Sequence, residues 1–128
     1  MKRQNISSNT KWENIVGYSR AVRVGNIIEV AGTTAVDGET IIAPKDGYEQ
    51  TKFIFQKIEK ALQEAGAGLQ DVVRTRMFVT DMKYSDGVGQ AHSEFFKDIR
   101  PAATMLAISK LVEDDLVVEI EVTAIIAE

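Results

Sequence analysis

The hydrophobic periodicity of this 128-residue chain predicts an α+β fold, a mixed sheet with two helices packed on one face. Three observations carry that expectation. Residues 20–33, RAVRVGNIIEVAGT, read as two short strands around the hairpin signal Gly25-Asn26. Residues 48–65 hold one continuous helical stripe, and residues 116–127 alternate in the period of a strand. The elements run in the order ββ(β)αβαββ. No internal repeat, low-complexity stretch or Pro/Gly/Ser-rich linker interrupts them, so one domain is expected over 1–128, with 1–16 as an N-terminal arm.

After the first hairpin, Asp37-Gly38, Pro44 and Asp46-Gly47 mark residues 37–47 as loop or a weak second hairpin. The first helix follows over about Tyr48 to Ala65. Asp46 is its expected N-cap, with Glu49 three residues on in a variant of the capping box. Ile54, Ile58, Ala61, Leu62 and Ala65 then fall on one face, and Gly66 stands where a left-handed residue ends a helix.

Val72–Thr80 reads as a strand with Val73, Thr75, Met77 and Val79 on one face. Arg74, Arg76, Phe78 and Thr80 take the other. A second helix is expected around Val88, Ala91, His92, Phe95 and Ile99. Gly87 and Gly89 weaken its start, and Pro101 stops it. Strands Ala103–Ser109 and Leu116–Ala127 complete the chain, joined by the acidic turn Glu113-Asp114-Asp115. In the last strand Leu116, Val118, Ile120, Val122, Ala124 and Ile126 share one face. The opposite face mixes Glu119 and Glu121 with Val117 and Ile125, as the middle strand mixes Arg74 and Arg76 with Phe78. Such a surface suits either a subunit interface or a solvated sheet face with weak ion pairs.

Composition narrows the chemistry. Fifteen Lys and Arg against nineteen Asp and Glu give 15 − 19 = −4, without the electrostatic footprint of a nucleic-acid binder. There is no cysteine, which removes disulfides, thiolate nucleophiles and cysteine zinc sites, and the single histidine removes two-histidine metal motifs. No apolar stretch approaches the roughly 20 residues of a membrane span, and no apolar run follows Lys2 and Arg3 as in a signal peptide. A cytoplasmic protein with no nucleic-acid, membrane or metal partner is the expectation.

Several spaced segments are recognisable: YSRAVRVGN (18–26), Gln50 of YEQT, ALQEAGAGLQDVVRTRMFVTDM (61–82), HSEFF (92–96), RPAAT (100–104) and LVVEIEVTAI (116–125). In this order they resemble the Rid/YjgF family, also labelled endoribonuclease L-PSP. The resemblance implies a chorismate-mutase-like fold, a homotrimer with a central β-barrel, and clefts between subunits that hold small ligands. It implies an imine deaminase that hydrolyses 2-aminoacrylate and related enamines to 2-keto acids and ammonia, with no cofactor.

Carried over position by position, the family pattern is only partly met. The arginine that forks onto the substrate carboxylate falls at Ala103, and a methyl group cannot replace a bidentate clamp. The family's cysteine falls at Met105, its serine before glycine at Ala31, and its helix asparagine at Gly89. Tyr18, Gly32 and Glu119 are retained. Glu119 is thus the candidate catalytic carboxylate, able to hold a water or take its proton, or else an ion-pair partner of Arg74 or Arg76. Tyr18, Gly32, Arg100, Ala103, Thr104 and Met105 form the candidate substrate-binding set, with Tyr18 either stacking on a flat ligand or simply packing.

Arg100 is the first candidate to replace the lost guanidinium, or else a surface residue closing its helix. Arg20 is a further cation near the cleft. His92 lies on the apolar stripe, as a core residue or as a general base, and Gly89 lines the same helix. The function read from these residues is a RidA-like small-molecule hydrolase of atypical substrate range. Its alternative is a non-catalytic metabolite-binding or sensing trimer. A ribonuclease or translation inhibitor stands behind both.

Overall fold

The computed structural model describes residues 1–127 of the chain. Its main sheet has six strands: β1 (Arg3–Ile6), β2 (Ala21–Val24), β3 (Ile27–Thr33), β6 (Val72–Val79), β7 (Ala102–Ala107) and β8 (Val118–Ile125). They lie in the order β1-β2-β3-β8-β6-β7. β6 and β7 are parallel and every other pair is antiparallel, so the sheet is mixed. Val36–Asp37 (β4) and Thr40–Ile41 (β5) form a separate small hairpin around Gly38, which takes the left-handed conformation.

Helices α2 (Gly47–Glu64) and α3 (Ser85–Phe96) cover one face of the main sheet. Their stripes meet the inward residues of the strands: Ile28 and Val30, Met77 and Val79, and Val118, Ile120, Val122 and Ala124. The α2 boundaries follow the sequence signals. The Asp46 carboxylate accepts from Glu49 N at 2.9 Å, and Gly66 (φ +87°) ends the helix as Ala67 N donates back to Leu62 O at 2.8 Å. Gln50 is fully buried and binds four backbone groups. Its Nε2 donates to Ile42 O, Ala43 O and Asp115 O, and its Oε1 accepts from Val117 N, so α2 is stitched to the chain entering β8.

Four details differ from the periodicity. Residues 1–16 are not a bare arm: β1 pairs with β2 at the sheet edge, and a short helix α1 (Lys11–Val16) follows. Its anchor is polar, the buried Glu13, while Trp12, Ile15 and Val16 are exposed. Second, Val72 rather than Val73 enters the core, because a bulge between Val72 and Arg74 turns Val73 outward at 41% exposure. Third, α3 begins at Ser85 despite its glycines. A Cβ on Gly87 would meet Tyr48 N at 3.2 Å, so the missing side chain lets α3 approach the start of α2. Fourth, Phe96 is buried at 2% exposure, whereas Phe95 is only partly covered.

Neither α2 nor α3 covers the other face of the sheet, which the short N-terminal helix only borders beside Val22, Glu29 and Ala31. This face presents Glu29, Arg76, Phe78, Glu119, Glu121 and Thr104 beside Val24, Ile27, Leu106 and Ile125, which are 38–51% exposed.

Candidate active site

The candidate residues separate into two groups at different places along the sheet, one at β3 and β8 and the other at the β7 edge. Tyr18, Arg20, Gly32 and Glu119 form the first. Glu119 stands on the uncovered face of β8, half-buried, with its carboxylate against Gly32 of β3. A Cβ on Gly32 would lie 2.9 Å from the Glu119 carboxyl carbon, so glycine is what admits the acid. The β3–β8 register shifts between Val30 and Thr33, the stretch that contains Gly32. Burial pushes the Glu119 pKa up, and the nearby Glu121 pushes it further; Arg20 opposes both. The cation beside Glu119 is therefore Arg20, and among the described residues neither Arg74 nor Arg76 hydrogen-bonds to it.

Arg20 leads into β2. Its Nη1 donates to Gly32 O at 3.1 Å and to Thr33 Oγ1 at 3.2 Å, and its guanidinium carbon lies 5.6 Å from the centre of the Tyr18 ring. Tyr18 is 38% exposed and forms one wall of a groove of about 580 Å³, which also includes Asn5, Glu29 and Ala31. Lys57 is a contributor that sequence reasoning missed. Its Nζ reaches Val36 O at 2.9 Å and Thr34 O at 3.5 Å, and burial followed by the Arg20 charge lowers its pKa. The available signal was the position of Lys57, four residues after Phe53 and four before Ala61, beside the apolar stripe.

The second group lies at the β7 edge. Ala103 pairs with Thr75 and Met105 with Met77, both on the helix-covered side. His92 Nε2 lies 2.9 Å from Thr75 Oγ1, and its ring is flanked by Phe55 and Phe96 at centroid distances of 5.6 and 4.9 Å. Burial lowers its pKa, which favours neutral imidazole. Gly89 faces open space one turn earlier. Thr104 points to the uncovered face, where its Oγ1 accepts from Arg74 Nη2 at 2.8 Å.

Arg100 is exposed beyond α3 with a left-handed φ of +59°, and its Nε donates to Lys97 O at 3.1 Å. β7 lies two strand spacings from β8 and three from β3, roughly 10 and 14 Å at usual spacing, so within one chain this edge does not meet Glu119 and Gly32. Among the described residues, no group of three or more acidic or histidine side chains converges to hold a metal, and no helix is long and apolar enough to cross a membrane.

Comparison with known proteins agrees with this fold. A family model described as Endoribonuclease L-PSP matches residues 9–126. The crystal structure of a Mycobacterium tuberculosis member of the YjgF/YER057c/UK114 family superposes with a TM-score of 0.89 at 42% identity, covering 98% of this chain and 100% of that one. An uncharacterized protein of Streptomyces coelicolor is 38% identical over 119 residues, 93% of this chain and 89% of its own length. The 3-aminoacrylate deaminase RutC of Acinetobacter baylyi is 29% identical over 104 residues, 80% of this chain and 82% of that protein. The match across residues 9–126, with relatives of this similarity along nearly the whole chain, means that the protein belongs to the Rid/YjgF family, described as endoribonuclease L-PSP.

Proposed function

We propose that the protein is a cytoplasmic homotrimeric hydrolase of small imines or enamines, acting without a cofactor, with Glu119 as its catalytic carboxylate. The observation that carries this reading is the Glu119–Gly32 contact: a half-buried acid with a raised pKa, beside Arg20 and the exposed Tyr18. A carboxylate whose pKa is raised by burial can hold a water and exchange a proton with it. The water oxygen adds to the C=N carbon, giving a tetrahedral carbinolamine. Loss of ammonia from that carbon then leaves the carbonyl, with one water consumed per ammonia released.

Assembly supplies what one chain lacks. The uncovered sheet face carries exposed Val24, Ile27, Leu106 and Ile125, the composition of a surface that buries itself against other copies. In a trimer the β7 edge of one subunit, with Ala103, Thr104, Met105 and His92, closes the cleft over Tyr18, Gly32 and Glu119 of the next. The alternative, a metabolite-binding trimer without turnover, is supported by alanine at position 103. The ribonuclease reading has little support, because the single His is half-buried against Thr75 with a lowered pKa.

The test is ammonia release from 2-aminoacrylate and 3-aminoacrylate generated in the assay. Turnover of at least one, reduced a hundredfold or more by Glu119→Gln, is the expected result. Turnover of neither enamine favours the binding trimer, and turnover indifferent to Glu119→Gln removes Glu119 from the chemistry.

A further inference from the structure

We propose that Arg20 is the carboxylate-binding group of the Glu119 site, so that the ligand is a small planar acid docked on the Nε–Nη2 edge of this guanidinium. The proposal rests on the hydrolase reading for the location of the site and deepens it by naming the residue that holds the ligand carboxylate.

The argument begins with which nitrogens of Arg20 are committed. Nη1 carries both protein contacts, to Gly32 O and Thr33 Oγ1. Those two acceptors fix the plane and position of the guanidinium. Nε is shielded from water and has no acceptor among the described residues. A buried donor without an acceptor is uncommon in folded proteins, and where one occurs it calls for a physical reason. The edge left unpaired, Nε with Nη2, is the one from which a guanidinium sends two parallel N–H bonds to the two oxygens of a carboxylate.

The surroundings fit an anion of limited size. Glu119 stands next to the same glycine, yet no described carboxylate accepts a hydrogen bond from Arg20. Lys57 adds positive field from the α2 side while its own Nζ is occupied by the Thr34 and Val36 carbonyls. The Tyr18 ring flanks the guanidinium at 5.6 Å and is 38% exposed. In this proposal it offers a flat wall for a conjugated acid, and a shift of its side chain opens Nε to a ligand oxygen.

Arg100 does not compete for the role within the chain. It is close to Ala103 only along the sequence, and its Nε is already used by Lys97 O. In this proposal the carboxylate clamp absent from β7 is supplied by the residue that leads into β2, opposite Ala31 of β3.

The test uses the full-length protein, with pyruvate as probe and its uncharged methyl ester as control, followed by titration calorimetry. Pyruvate is expected to bind at least tenfold more tightly than methyl pyruvate. Arg20→Gln is expected to weaken pyruvate at least tenfold, Arg20→Lys to weaken it less because the charge remains, and Arg100→Ala to leave it within twofold. Circular dichroism of each variant separates lost binding from lost folding, and the ester comparison needs no variant. Absence of pyruvate binding, equal binding of acid and ester, Arg20→Gln within twofold of the parent, or a loss confined to Arg100→Ala would each overturn the assignment. Arg20-dependent pyruvate binding without ammonia release keeps the clamp and removes the hydrolase. Ammonia release untouched by Arg20→Gln does the reverse.

Discussion

The carboxylate of Glu119 rests on the α-carbon of Gly32, where an added methyl group would stand 2.9 Å from the carboxyl carbon. The contact joins two adjacent strands at an irregular point of their pairing. It also couples a structural requirement to a chemical one, because the atom that a side chain would displace is the proposed catalytic acid.

Gly32→Ala should therefore separate stability from activity. The clashing atoms are the flexible end of Glu119 and not backbone, so the acid swings aside at little structural cost. The expected loss in chemical denaturation is below about 1 kcal/mol. Ammonia release should fall at least tenfold, since the carboxylate no longer lies where water is held. Full activity in this variant would detach the contact from the chemistry.

Glu119→Gln tests the electrostatics of the same acid. Burial first, then Glu121, raise its pKa above the usual 4.5, with Arg20 opposing. A carboxyl raised in the folded state contributes stability that is fully present below the unfolded pKa. That contribution is lost as pH rises through the folded pKa. Glutamine removes the penalty of the buried charge, so the variant should be more stable than the parent at pH 7.5 and close to it at pH 4. Each unit of pKa elevation corresponds to about 1.4 kcal/mol. Urea denaturation at the two pH values checks the sign; an equal difference at both would rule out the titration of Glu119 as its source.

Much of the scaffold is legible in the sequence because periodicity and caps are local. Asp46 and Gly66 bound α2 as their chemistry requires, and the β8 alternation sorts Glu119 from Ile120. Features that depend on partners are not legible. Only Ile6 of β1 is buried, so no alternating pattern announces that strand. The apolar residues of α1 face outward, and its polar anchor Glu13 resembles any surface acid. The Val73 bulge is a property of pairing with β8, invisible in one strand's alternation.

The site divides in the same way. Resemblance to a family points to Tyr18, Gly32 and Glu119; Glu119 touches Gly32, and Arg20 lies between Gly32 and the Tyr18 ring. Arg100 is three residues from Ala103 in sequence, but it follows α3 in a left-handed turn with its Nε bonded to Lys97 O. Arg20 reaches Gly32 because the β2–β3 hairpin sets Arg20 O on Ala31 N at 2.9 Å, a cross-strand relation that sequence distance hides.

The N-terminal segment provides the last prediction. Glu13 is 5% exposed and accepts from Ser7 Oγ at 2.9 Å, Thr10 Oγ1 at 3.2 Å, and both the amide and hydroxyl of Ser8. Burial alone raises its pKa, but these bonds to the ionised form together outweigh it and leave the pKa lowered. A depressed carboxyl contributes stability above its unfolded pKa that is lost as pH falls through the folded one. The Glu13 carbonyl also accepts from Gly17 N and Tyr18 N, so the same residue positions Tyr18. Glu13→Gln presents amide hydrogens to donors, and should cost about 1–2 kcal/mol. Amide exchange across residues 6–18 should accelerate, and fluorescence of Trp12, the single tryptophan, should report the loosening. Because Tyr18 contacts ligand in this reading, KM should rise more than kcat falls. Unchanged exchange across residues 6–18 would mean that the β1–β2 pairing, and not Glu13, holds the segment in place.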